Sequence, residues 1–177
     1  MTPIGPYDDA PAECLDYDPR FPDVAARVDA LIRGALPQVR VEHVGSTAVP
    51  GCAGKGVIDL LLVYPAGDLD AARAALTTLG FQHQTTGNPF PEDRPMRTGS
   101  LVHEGRRYRI HVHVIGEGAA EVRKLLRFRD HLRMDPALLS AYVAEKRAII
   151  AAGVISTGDY SNAKGGFIRG AIGGTDR

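Results

Sequence analysis

Glu42-His43-Val44-Gly45-Ser46-Thr47-Ala48-Val49-Pro50-Gly51, and beyond it Val57-Ile58-Asp59-Leu60-Leu61-Leu62-Val63-Tyr64, is the stretch on which the reading of this chain turns. The second run is apolar on both faces except at Asp59, the pattern of a central strand covered on two sides. A carboxylate inside such a strand is costly unless it is paired, hydrogen-bonded or bound to a metal. Ahead of it, Val39 and Val41 alternate with Arg40 and Glu42 and predict a strand over Val39–Val44 that ends in the Gly45-Ser46 turn. A strand closing on Gly-Ser lets backbone N–H groups and a hydroxyl approach a bound anion without obstruction by a Cβ. Lys55 stands in the run Gly51-Cys-Ala-Gly-Lys-Gly56, which resembles a phosphate loop but fails its pattern. Position 49 is Val rather than Gly, and position 56 is Gly rather than Ser or Thr.

Outward from this segment the elements alternate. A first helix is expected from Asp18-Pro19, with Asp18 as the capping acceptor, and Phe21, Val24, Val28, Leu31 and Ile32 recur at helical spacing down to Gly34. Leu69, Ala72, Leu76 and Leu79 predict a helix over Gly67–Leu79 ended by Gly80, then a short strand at Phe81–Gln84. Residues 85–99 read as a loop, with Gly87, Asn88, Asp93 and three prolines. Leu101 to Tyr108 reads as a hairpin turning at Glu104-Gly105. Its second arm alternates from Arg107 to Ile115. Tyr108, Ile110, Val112 and Val114 share one face; Arg109, His111 and His113 share the other. Helices are expected over 119–132 and 136–151, the latter opened by Asp135-Pro136, and the tail from Ser156 is glycine-rich around Tyr160, Lys164 and Phe167. The expectation is one α/β (α+β) domain over residues 1–177.

Composition excludes several classes. The chain has 177 residues, 44% hydrophobic and 24% charged, which is ordinary for a globular protein. Its 21 basic and 21 acidic residues balance, against a general nucleic-acid binder. Between Arg94 and Arg133, however, nine Arg and one Lys face four acids. That stretch either lines a pocket for phosphate or carboxylate or is a solvated face balanced by acids elsewhere. Cys14 and Cys52 match no zinc spacing and no disulfide framework. Without a signal-peptide pattern or a membrane-length apolar run, a cytoplasmic location is expected.

Residues 42–51, with Lys55 and Ile58-Asp59, resemble the signature of the GrpB family of predicted nucleotidyltransferase-like proteins. Tyr17-Asp18-Pro19, Arg109-Ile-His-Val-His113, Leu126–Arg133, Tyr142 with Lys146, and Tyr160 with Lys164 and Phe167-Ile168 extend the resemblance over nearly the whole chain. It implies the nucleotidyltransferase (polymerase-β-like) fold, a mixed sheet flanked by helices. Related domains occur fused to a coenzyme A biosynthetic kinase, so a coenzyme A pathway enzyme is one partner the resemblance implies.

The resemblance also implies a two-metal site, with carboxylates two residues apart on the strand after the Gly-Ser turn and a third on a neighbouring strand. Here Asp59 supplies the first, Leu61 stands at the second, and residues 106–115 offer His111 and His113 instead of a carboxylate. The expected site has Gly45, Ser46 and Thr47 holding phosphate, and Lys55, Arg107 and Arg109 neutralising it. Asp59 and His113 would ligate a divalent ion (Mg²⁺, Mn²⁺ or Zn²⁺), and Asp59, His111 and His113 would serve as catalytic groups. The ligand would be a nucleotide or another phosphorylated small molecule, with nucleotidyl transfer as the associated reaction. The alternatives are a non-catalytic nucleotide-binding or docking module and a single-metal hydrolase. Asp59 could equally cap the 45–51 turn, and the two histidines could be a polar sheet face.

Overall fold

The computed structural model describes residues 2–85, 89–154 and 156–173. Five strands form one sheet: β1 (Arg40–Val44), β2 (Val57–Tyr64), β3 (Gln82–His83), β4 (Met96–His103) and β5 (Arg106–Gly116), in the order β1-β2-β5-β4-β3. The β2–β5 pair is parallel and every other pair antiparallel, so the sheet is mixed. Five helices accompany it: α1 (Phe21–Ala35), α2 (Leu69–Leu79), α3 (Ala120–Met134), α4 (Pro136–Ala151) and α5 (Thr157–Gly173).

The two-residue period of the strands sorts side chains between two layers. Ile58, Leu60 and Leu62 of β2 and Tyr108, Ile110, Val112 and Val114 of β5 share a core with Phe21, Val24, Val28 and Ile32 of α1 and Ala72 and Leu76 of α2. The odd-numbered positions of β2 point the other way, where Leu61 and Val63 pack with Val44, Ile115 and Val122 of α3. Asp59 belongs to this second face. So do His111 and His113, because the parallel register sets Asp59 beside His111 and Leu61 beside His113.

Helix boundaries follow local chemistry. At the start of α4, Asp135 accepts from the N–H groups of Ala137 and Leu138, with Pro136 in the first turn. Gly80 closes α2 at φ 105, a left-handed conformation that a side chain would strain. The first helix corrects the expectation. It begins at Phe21, Gly34 lies inside it, and Asp18 does not cap it with its side chain. The Asp18 carboxylate is buried and collects Arg20 Nε (2.9 Å), Arg106 Nη1 (3.0 Å) and the Tyr108 hydroxyl (3.0 Å). The bonds from Arg20, chief among these, outweigh desolvation and hold it well below the usual carboxylate range.

Two further expectations are revised. Of the loop over 85–99, residues 96–99 are the first residues of β4, while Thr86, Gly87 and Asn88 lie outside the described residues. The glycine-rich tail is a helix, α5, laid against α3 and α4. The arginine-rich stretch is largely balanced by acids, Glu121 within it and the others elsewhere in the chain. Arg94 pairs with Glu121, Arg97 with Glu92, Arg106 with Asp18, Arg107 with Asp8 and Arg129 with Glu42. Among the described residues no helix is long and apolar enough to cross a membrane.

Asp18 joins the N-terminal segment to the start of the central strand β5, so its removal should be felt globally. Asp18→Ala is expected to lower stability by about 1–3 kcal/mol, the order for leaving hydrogen-bonded charged partners unpaired. Urea unfolding monitored by circular dichroism measures it, with Asp18→Asn losing less.

Candidate functional site

Strand β1 ends where the chain must pass close to β2. Gly45 has φ 72, and a Cβ placed there would lie 2.6 Å from Asp59 Oδ2. Only glycine allows both the left-handed backbone and this approach. A short 3-10 turn, Ser46–Ala48, follows. Thr47 is buried in it; its hydroxyl donates to the Val57 carbonyl (3.2 Å) and lies 2.9 Å from His43 Nε2. With its proton committed to Val57, the Thr47 oxygen accepts from His43, which sets the proton of that imidazole on Nε2. Burial lowers the His43 pKa to about 4, so the ring is neutral and braces the turn.

On the sheet face beside this turn, His111 Nδ1 and His113 Nε2 lie 3.4 and 3.6 Å from the same oxygen, Asp59 Oδ1. Burial raises the carboxyl pKa, but the bonds and charges of His111 and His113 overcome it and hold Asp59 below the usual range. No backbone N–H of the 45–51 turn donates to Asp59 among the described residues, so the capping alternative is not what the structure contains. Each imidazole has an aromatic neighbour. The Tyr7 hydroxyl is 3.0 Å from His111 Nε2, and burial pushes it up to about 12; the half-exposed Phe90 ring meets His113 edge-on at 5.5 Å.

The other wall is cationic. Ser46, Thr47, Lys55, Gly56, Val57, Asp59, Tyr160 and Lys164 line one small cleft. Lys55 and Lys164 lie over the Tyr160 ring, 5.3 and 5.2 Å from its centroid. Among the described residues, neither ammonium has a carboxylate within ion-pairing distance or a hydrogen-bond acceptor. Burial lowers both pKa values, and with the neighbouring Lys55 it brings Lys164 to about 8. Lys146, also lowered by burial, is enclosed behind Ser46. Its Nζ donates to Ser46 Oγ (3.0 Å), Cys52 Sγ (3.2 Å) and the Ala53 carbonyl. An ammonium only donates, so Ser46 accepts from Lys146 and keeps its own proton to give to an anion.

The structure therefore brings together Gly45, Ser46, Thr47, Lys55, Asp59, His111 and His113, with Thr47 acting through the turn. Arg109 fastens the loop, donating to the Lys55 carbonyl (2.8 Å). Arg107 does not join the cleft; it pairs with Asp8 at 2.9 Å. Tyr7, Lys146, Tyr160 and Lys164 were not among the expected site residues. For the lysines and Tyr160 the signal is helical spacing: Tyr142 and Lys146 are one turn apart, as are Tyr160 and Lys164, with Phe167 and Ile168 continuing the same stripe, whereas Tyr7 has no such signal.

The residues do not fit the divalent ions the fold implies. Leu61, at the second carboxylate position, is fully buried. The two imidazoles turn onto Asp59 itself, and among the described residues no group of three or more His, Cys, Asp or Glu side chains is arranged to hold a metal ion. Where Asp59 and His113 were expected to hold an ion, both imidazoles instead lie within ion-pairing distance of Asp59 Oδ1.

Residues 11–173 match the family described as GrpB protein. The chain is 36% identical to a UPF0157 protein of Streptomyces coelicolor over 157 residues, which is 86% of this chain and 78% of that protein. It is 32% identical to a UPF0157 protein of Halalkalibacterium halodurans over 158 residues, 88% and 77% of the two chains. The crystal structure of conserved protein GrpB from Enterococcus faecalis superposes with a TM-score of 0.71 at 24% identity, over 91% of this chain and 95% of that one. A structure of Cid1, described for its RNA terminal uridylyl transferase activity, superposes with a TM-score of 0.55 at 14% identity, over 76% of this chain and 41% of that one. The turn-and-strand signature, the mixed sheet and these likenesses agree: the chain belongs to the GrpB family and has a nucleotidyltransferase-like fold.

Proposed function

We propose that this protein binds a phosphorylated small molecule, with a nucleotide as the leading class, in the cleft between the Gly45-Ser46 turn and α5. The observation that carries the reading is the pair of half-buried lysines, Lys55 and Lys164, facing one cleft, neither with a carboxylate in ion-pairing reach among the described residues. Taking an ammonium out of water without a counter-charge is unfavourable. A bound anion removes that cost and gains charge-assisted hydrogen bonds from both lysines and from Ser46. Nucleotidyl transfer by the two-metal route calls for carboxylates that the β2–β5 face does not supply. Binding is accordingly the function proposed, and transfer is not.

Calorimetric titration with AMP tests this. Saturable binding is expected, with a rise in melting temperature as AMP is added. Lys164→Gln should weaken AMP by about tenfold or more, the equivalent of about 1.4 kcal/mol. A titration without heat and a melting curve unmoved by AMP would remove the proposal.

Binding should also depend on pH. The groups bearing on Lys164 are Lys55 and Lys146, which favour its neutral form, and Asp59 and Cys52, which favour the ammonium. Its pKa of about 8 in the free protein means the ammonium is present at neutral pH and lost as pH rises through 8. A phosphate monoester has finished its second ionisation, near pH 6, before that range. AMP affinity should therefore fall between pH 7 and 9, and Lys164→Gln should flatten the decline.

A further inference from the structure

We infer that the phosphate group enters this cleft without a divalent ion, so that the ligand is an uncomplexed phosphate monoester dianion whose charge is met by lysine ammonium groups. The inference rests on the anion-binding reading above and adds what that reading leaves open: the ionic form the ligand takes.

Asp59 is the first ground. One of its oxygens, Oδ1, faces both imidazoles at 3.4 and 3.6 Å. The other, Oδ2, lies so close to Gly45 that no Cβ could stand between them. Oδ1 is thus already engaged by the protein, and the close approach of Gly45 confines Oδ2. A magnesium ion needs close, near-octahedral oxygen ligands and is usually anchored by one or two carboxylates. Leu61 occupies the place of a second one and packs in the apolar layer against α3, with no exposed surface to give.

Charge is the second ground. Lys55, Lys146 and Lys164 stand around the cleft against the single carboxylate of Asp59, an excess of two positive charges. Arg109 and Asp9 also bear on Lys55, with opposite signs that offset each other. Two is the charge of a phosphate monoester above its second ionisation. A divalent ion at Asp59 would add charge of the same sign beside three ammonium groups. Lysine acts on phosphate as a compact point charge with three donors, which suits a terminal phosphate approached from several sides.

Mg²⁺ should then compete with the protein for the ligand rather than join it. The experiment is calorimetric titration of the purified protein with AMP and with ATP, in EDTA and in excess Mg²⁺ or Mn²⁺. AMP is expected to bind in EDTA as tightly as with the ions, and free ATP several-fold more tightly than its Mg²⁺ complex. Asp59→Asn, which removes the one negative charge in the cleft, is expected to tighten AMP several-fold. Loss of AMP binding in EDTA with recovery on adding Mg²⁺ or Mn²⁺ would overturn the inference while leaving the anion site standing. So would an Asp59→Asn protein that melts as the parent does and no longer binds AMP. Should that variant fail to fold, the comparison of EDTA with Mg²⁺ on the parent protein decides alone. Absence of binding in every arm would overturn the anion reading and this inference together.

Discussion

The parallel pairing of β2 with β5 is the constraint from which the site follows. Parallel register sets Asp59 opposite His111 and Leu61 opposite His113, and a one-residue slip of either strand would send its pair to the other face. The register is fixed by the apolar partners between them. Ile58 with Ile110, Leu60 with Val112 and Leu62 with Val114 fill the layer under α1 and α2, where none is exposed by more than 1%. The polar cluster is thus held in place by hydrophobic packing on the opposite side of the same two strands.

A half-buried carboxylate between two imidazoles and a set of half-buried and buried ammonium groups sit within one cleft, yet they do not neutralise one another directly. Asp59 is matched by its histidines, while Lys146 is matched by a hydroxyl, a thiol and a carbonyl. Lys55 and Lys164 lie over the Tyr160 ring, with no ion-pair partner among the described residues. Lysine desolvated in this way holds its proton less tightly until a negative charge arrives, which is why its pKa falls and why the cleft favours an anion. The second wall depends on α5. Phe167 and Ile168 pack with Tyr142 and Phe128, and that anchor presents Lys164 and Tyr160, one and two turns earlier, to the Ser46 turn.

Much of this was legible in the sequence, and the failures have physical causes. The strands over β2 and β5 were plain because alternation and a doubly covered apolar run have few other meanings, and the shared face of Arg109, His111 and His113 follows from period two alone. Asp18-Pro19 carries a helix-start signature, but a carboxylate in reach of Arg20, Arg106 and Tyr108 gains more from three charged or hydroxyl donors than from a helix end. The helix α5 was hidden by Gly158, Gly165, Gly166, Gly170 and Gly173, each unfavourable to helix by about 1 kcal/mol relative to Ala. Its stability comes from the Phe167 and Ile168 stripe packed on α3 and α4, a tertiary effect no local propensity can report. Missing that helix meant missing Lys164, because a lysine in a glycine-rich tail has no evident partner until the tail is folded back.

The fold and the site therefore make separate statements. A mixed sheet with a Gly-Ser turn before an acidic strand places this chain among nucleotidyltransferase-like structures, but fold alone does not specify chemistry. What has changed here is the sign of the site. One position that would hold a carboxylate holds buried leucine, the neighbouring strand presents imidazole, and lysines from the 51–56 loop, α4 and α5 surround the place where phosphate would lie. These changes are mutually consistent. A site with fewer carboxylates attracts cations less, and without bound cations the ligand's negative charge must be met by the protein. Lysine, with its long stem and compact charge, is the side chain that can bring positive charge to one point from three separate elements. The retained turn still gives close backbone approach at Gly45, and Ser46 still offers a proton, because Lys146 has taken the acceptor side of its hydroxyl.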